Sequence, residues 1–461
     1  MPATLRKNYG RLLNIKSAET AHYNDLKVQW EEVVCMTLMS SSTVLPRMLE
    51  VEQELTSSPL KDVKAEVRKE LQNLNIRSRV KLGDRIAITA GSRGIANIST
   101  IIAAVVEMVK ECGGKPFVIP AMGSHGGATP EGQKEILNHY GITPENIGAP
   151  LVSSMEVDLL AHLEDGTPIY ISRDAHNADG IIVVNRVKPH TDFKEDIESG
   201  LVKMLVVGMG KQKGAESLHS FLAEGYHKVM QKMAEIILKK AKIVCGVAIV
   251  EDGYHQTSII KAIPPEKIIQ EEKELLKIAK RYMARIPFKE IDLLVVGEIG
   301  KEISGAGMDP NVTGRFTIQD EYDPEAPKVN KIVVLNLTNE TEGNVTGLGL
   351  ADLTTKKVFE KIDFEKTFVN CLTSCWANTG RIPIFLSSDR DTIMMGLRIA
   401  GIRDYEKAKI VMIKNTLDLR RFLISETLQQ DLERSPGLAK KVKVVSESRE
   451  IVFDVLGNLA R

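Results

Sequence analysis

Nowhere in the 461 residues does an apolar run reach the ~18–20 residues that a membrane span requires. Met1-Pro-Ala-Thr-Leu-Arg-Lys7 leads into no apolar core, so no secretory signal is visible and a cytoplasmic setting is expected. Neither sign of charge dominates, with 61 Lys and Arg against 61 Asp and Glu. Nucleic-acid and membrane-surface binders usually carry a basic excess or stripe, so neither partner is expected. Cysteine is sparse and odd in number: Cys35, Cys112, Cys245, Cys371 and Cys375, with no Cys-x-x-Cys. That excludes a disulfide framework and the usual zinc or iron–sulfur spacings. Cys371 and Cys375 read as two half-buried thiols on one helix. A nucleophile elbow, a Walker loop and a His-Glu-x-x-His pair are missing as well.

What is present is alternation of apolar strands and helices. Arg85–Thr89, Lys115–Pro120, Gly180–Asn185 and Lys242–Val250 read as strands, and their unbroken apolar runs suit a parallel sheet covered on both faces. A helix is predicted from Asn97 to the Gly113-Gly114 stop. Another opens at Thr129-Pro130, with Thr129 as N-cap. A long helix is predicted from Glu216 to Lys240, and one more from Pro265 to Ala284. The charged span Arg281–Lys289 is the best linker, after which strands recur at Ile291–Gly297, Lys331–Asn336 and Lys409–Ile413. Helices are predicted near Thr354–Ile362 and Phe364–Cys375. The expected fold is α/β, with two domains, each a mainly parallel sheet flanked by helices, and the site in the cleft between them. The boundaries are 1–285, with 1–80 an N-terminal extension, and 286–461, with a tail free to return to the first domain.

Ligands in such sheets bind beyond the carboxyl ends of strands, and the polar motifs fall there. Ala90-Gly-Ser92-Arg93-Gly94 combines small residues, a helix start and an arginine that can grip an anion. Gly123-Ser-His125-Gly126-Gly127 holds a histidine between glycines, and Asn185-Arg-Val-Lys188-Pro-His190 carries another in an electropositive setting. Lys203 and His219 flank a glycine-rich stretch. Its Gly208-x-Gly210-x-x-x-Gly214 spacing is not a dinucleotide fingerprint, and position 228 is Lys rather than an acidic residue. In the second half, Lys301 in the loop after Ile291–Gly297, and Trp376, are candidates to face the first domain. His22, His139, His162, His176, His227 and His255 have no comparable setting and read as structural or exposed.

Together, Gly123-Ser124-His125, His190, and Lys203 followed by His219 sixteen positions later (219 − 203 = 16) resemble the nickel-dependent lactate racemase family. The resemblance covers roughly residues 80 to 400. It implies a racemase or epimerase of 2-hydroxy acids that uses a nickel-pincer nucleotide, a pyridinium mononucleotide with two sulfur arms. It further implies that Lys203 carries the nucleotide as a thioamide, that His219 ligates nickel, and that His125 and His190 are the opposed bases. Ser92, Arg93, Gly126 and Lys188 would contact the cofactor, and Arg93, Lys301 and Trp376 the substrate. Cofactor maturation enzymes would be partners. One histidine would take the hydroxyl proton while the Cα hydrogen leaves as hydride, and the second would serve the mirror-image alcohol.

The chain departs from the family pattern at several points. Extra residues lie around Glu195–Glu198, Ser199-Gly200-Leu201-Val202 replaces a glycine pair before the lysine, two glycines follow His125, and Gly305–Asp309 stands where lactate contacts are expected. The substrate therefore stays open among lactate, a sugar acid and a hydroxydicarboxylate. Two other classes stay open: a cofactor-free α/β protein that binds an anionic metabolite, and a nicotinamide-dependent oxidoreductase.

Overall fold

The computed structural model describes residues 44–460 apart from Gln319. His22, Cys35 and the first part of the expected extension lie outside the described residues. The protein is mixed α/β, with mostly parallel sheets flanked by helices.

The smaller main sheet has five strands in the order Lys115–Pro120, Arg85–Ala90, Gly180–Arg186, Ile243–Glu251, Thr257–Ile263. All neighbours are parallel except the last pair. The apolar runs work as expected because alternate residues enter opposite cores. Ile86, Ile88, Ile182 and Val184 pack on one face against the helix Ile98–Glu111, while Ala87, Ile181 and Val183 pack on the other beside Met230–Lys240 and Ile268–Tyr282. The helix Ile98–Glu111 stops where predicted, since Gly113 adopts a left-handed φ of 82°. Thr129 caps Pro130–His139 by accepting from the Gly132 amide.

The larger sheet runs Ile384–Leu386, Leu353–Thr355, Lys328–Val334, Glu290–Val296, Ile410–Ile413, Arg421–Ser425, Met48–Gln53, Val442–Val444. Its first five strands are parallel and its last three antiparallel. A hairpin, Val157–His162 with Pro168–Ser172, completes the β-structure described.

Several expectations are corrected. Met48–Gln53, expected in the extension of the first domain, pairs instead between Arg421–Ser425 and Val442–Val444 in the sheet of the C-terminal half. The tail stays with that sheet too: the Leu459 amide donates to Asp389 Oδ2 at 3.0 Å. The helix expected from Glu216 to Lys240 is broken after His219, where Leu222 takes a left-handed φ of 53°; a π-helical turn, Gly225–Val229, precedes Met230–Lys240. Thr354 belongs to a strand, leaving only Lys356–Phe359 as helix there. Cys371 and Cys375 do not share a helix: Phe364–Thr373 ends first, Cys371 is buried and Cys375 is exposed. No described helix is long and apolar enough to cross a membrane.

Candidate functional site

A cavity of about 260 Å³ is lined by segments that follow strands of both large sheets. Its walls include Ser92, Arg93, His125, Lys188, His190, Lys203, His219, Lys301 and Trp376. All but one of the residues singled out in the sequence thus meet in one place. The exception is Gly126, which does not line the cavity. A side-chain carbon there would lie 2.6 Å from the backbone of Gly132 and Gln133, and its φ is 68°. Gly126 is required by the turn that packs His125's loop on the next helix, not by a ligand.

Lys203 ends the single turn Leu201–Lys203, which continues as the π-helical turn Met204–Gly208. The turn starts against a buried carboxylate: Glu272 Oε2 accepts from the Val202 amide at 2.9 Å. A side chain at Gly200 would collide with that carboxylate, so the glycine permits the approach. Burial raises the Glu272 pKa to about 7, against the pull of the Val202 amide.

His190 is held at several points. Its backbone amide donates to Glu198 Oε2 at 2.6 Å, and its carbonyl accepts from Lys194 Nζ at 2.7 Å and Asn311 Nδ2 at 3.0 Å. Glu198, fully buried, also accepts from Lys280 at 2.6 Å. The extra residues noted around Glu195–Glu198 are therefore a clamp on His190. On the ring, Nδ1 accepts from the Asp192 amide at 3.1 Å, and Nε2 lies 2.5 Å from Lys203 Nζ. Phe193 and Tyr226 stack behind it, and Tyr226 also borders His219 and the Lys203 ammonium position.

His125 faces the cavity mouth with Nδ1 bonded to Ser92 Oγ. Gln133 Nε2 fixes its loop by donating to the carbonyls of Gly123 and His125, at 2.9 and 3.2 Å. Gln133 is steadied in turn by the buried Lys211, which donates to it at 3.0 Å. Arg93 reaches across and donates to the Lys301 carbonyl at 3.0 Å, while Lys301 Nζ donates to the Gly305 carbonyl at 2.6 Å. Arg186 is tied to Glu251.

Cations outnumber anions on these walls. Arg93, Arg186, Lys188, Lys203 and Lys301 stand against Asp192. Burial, then the neighbouring cations, lowers Lys188 to about 7 and Lys301 to about 7, and burial lowers Lys203 to about 8. His190, which is buried, is held well below the ordinary imidazole value by that burial and by Lys203, and His125, more open to solvent, is lowered in the same direction by desolvation against the cavity wall and by Arg93. His219 falls to about 4, through burial and Lys203. Both imidazoles are thus neutral at physiological pH. The cationic wall suits an anionic ligand.

Among the described residues, no three His, Cys, Asp or Glu side chains are grouped to hold a metal. His219 Nδ1, however, is buried and has no hydrogen-bond partner. A buried polar nitrogen left unpaired is costly, and this one belongs to a residue that lines the cavity. A metal there would take its other donors from a bound group, and an anionic group with its own soft donors fits these residues. Sequence reasoning missed Tyr226, Asp192, Glu272 and Lys211, whose buried polar roles depend on contacts distant in sequence.

Residues 90–264, less than half of the chain, match the family described as Domain of unknown function (DUF362). That stretch contains Ser92, Arg93, His125, Lys188, His190, Lys203 and His219, but not Lys301 or Trp376. No curated protein matches. Among solved structures, the chain is similar to the lactate racemase apoprotein from Thermoanaerobacterium thermosaccharolyticum, at 13% identity and a TM-score of 0.48, over 81% of this chain and 99% of that one. It is similar also to a Thermotoga maritima protein, at 13% identity and a TM-score of 0.47, over 71% of this chain and 84% of that one.

Proposed function

We propose that the chain is a racemase or epimerase of a 2-hydroxy acid, working through a nickel-pincer nucleotide covalently held on Lys203. The observation that carries this is the meeting of Lys203, His125, His190 and the unpartnered His219 Nδ1 in one cationic cavity. In this reading the cavity is a cleft between a cofactor-binding domain and a second domain, in a cytoplasmic protein, with cofactor maturation enzymes as partners.

Lys203 would anchor the nucleotide, His219 would ligate nickel, and Ser92 and Lys188 would contact the cofactor. When bound, the nucleotide supplies a ring that takes and returns hydride, with nickel and two soft sulfur donors. Arg93 and Lys301 orient the substrate carboxylate, and Trp376 lines the same cavity. His125 and His190 stand neutral on separate loops. Each can accept the proton of a substrate hydroxyl and give it back, as racemisation requires of bases serving opposite hands. Two features tell against the rivals. Lys203 meets a histidine instead of a carboxylate, unlike a cation merely stored in an ion pair. Gly208 and Gly210 lie in and after a π-helical turn, so they form no strand-to-helix phosphate loop.

The test is to make the protein together with the maturation enzymes and measure intact mass and metal. A mass increment on Lys203 and stoichiometric nickel are expected, and protein with neither sinks the proposal. His219→Ala is expected to lose nickel while keeping the circular-dichroism spectrum and unfolding transition of the parent. Retained nickel would refute the ligand assignment. A panel of single-enantiomer 2-hydroxy acids then identifies the substrate.

A further inference from the structure

We infer that His190 favours the free-amine form of Lys203 and so poises it for acylation. The inference rests on Lys203 as the point of attachment and adds how the attachment is prepared.

The argument begins at Nδ1 of His190, which accepts the Asp192 backbone N–H at 3.1 Å. A ring nitrogen that accepts a hydrogen bond carries no proton, so the neutral ring carries its proton on Nε2. That nitrogen lies 2.5 Å from Lys203 Nζ. An ammonium offers three donors and no acceptor, so it cannot receive a bond from an N–H. A free amine can, through its lone pair. The contact therefore favours the uncharged form of Lys203. The groups around it agree. Arg93 opposes a charge on Lys203, and Asp192, which would favour one, is itself pushed toward its protonated form by burial. Lys203 likewise disfavours a proton on His219. Tyr226 offers only its ring, 5.8 Å away.

A free amine beside a cavity of about 260 Å³ is a nucleophile with room for a small acyl donor. The co-reactant is an activated carboxyl or thiocarboxyl derivative. The Nζ lone pair forms the new C–N bond. The bond from carbon to the leaving group breaks, its electron pair departs with that group, and the proton lost from Nζ leaves with it. The product nitrogen is an amide or thioamide, whose lone pair is delocalised and accepts poorly. The bond from His190 Nε2–H is lost, and the ring can take a proton at Nε2 only after its own proton moves to Nδ1 and the Asp192 amide is given up.

The test uses the full-length chain made without cofactor. Trace deuterated acetic anhydride at pH 7, followed by complete labelling with the light reagent and peptide mass spectrometry, gives the relative rate at each lysine. Lys203 is expected to react at least tenfold faster than the exposed Lys407, because an ordinary lysine is almost wholly protonated at that pH. His190→Asn and His190→Phe are expected to abolish the excess. No excess in the parent, or an undiminished excess in both folded variants, overturns the inference. Should both variants fail to fold, nitrogen chemical shifts of His190 in the parent decide. Protonated Nε2 with bare Nδ1 is required, and protonated Nδ1 at neutral pH overturns the inference. Failure here is separable from failure of the cofactor reading. A slow Lys203 in a chain that still acquires the mass increment refutes only the His190 role. A fast Lys203 in a chain that never acquires it refutes only the nickel-pincer nucleotide.

Discussion

Lys188 shows what the site costs the fold. Its ammonium has no hydrogen-bond or ion-pair partner among the described residues; burial disfavours its charge, and Arg186, Arg93 and Lys203 oppose it against the pull of Asp309. Its pKa falls from 10.5 to about 7, so protonation favours the unfolded chain. The sign follows: the penalty is complete below about pH 7 and fades as pH rises from there toward 10.5. Lys188→Met is therefore expected to raise the thermal midpoint by roughly 1–3 °C at pH 6, and by less at pH 10, while weakening anion binding. A calorimetric pH series checks this, and equal shifts at both pH values would contradict it. Gly126 carries the opposite prediction. Gly126→Ala forces a side chain onto Gly132 at a left-handed φ and should destabilise by about 2 kcal/mol or more, measured by urea unfolding.

At the scale of elements, Glu272 governs the turn that presents Lys203. Its folded pKa of about 7 stands above the ordinary carboxyl value of 4.5, so the fold favours the protonated acid. Its stabilising share is present below about pH 4.5 and is lost as pH climbs through 7. Glu272→Gln keeps an acceptor for the Val202 amide and removes that loss. The variant should gain on the order of 2 kcal/mol relative to the parent between pH 5 and pH 8. The strands of the smaller sheet were legible because apolar runs such as Gly180–Arg186 end at glycine, proline or polar residues. The histidine and lysine loops were legible because each follows such a strand. The π-helical turn Met204–Gly208 was not, since Met-Leu-Val-Val-Gly fits a strand or a helix equally well. The break after His219 was hidden for a related reason: Ser220-Phe-Leu-Ala-Glu224 contains no glycine or proline to mark it. The clamp at Glu198 looked like an insertion because its partners, Lys280 and the His190 amide, could not be seen without the fold.

For the whole molecule, the telling feature is the strand Met48–Gln53 in a sheet otherwise built from residues after 289. Met48 and Val51 are fully buried there. A fragment of residues 286–461 therefore lacks an interior strand and is expected to show no cooperative unfolding transition. A synthetic peptide spanning 44–58 should restore one. A fragment that unfolds as sharply without the peptide would show that the strand is dispensable.

The same strand sets a timetable for the chain as the ribosome makes it. The five-stranded sheet uses only residues 85–263 and can form while synthesis continues. The larger sheet must leave Met48–Gln53 waiting until Arg421–Ser425 and Val442–Val444 emerge, a delay of roughly 20–80 s at ordinary elongation rates. During that interval Lys203, His190 and His125 belong to a half-built cavity. The walls carrying Lys301 and Trp376 arrive later, so the nascent protein passes through a stage in which Lys203 faces open water.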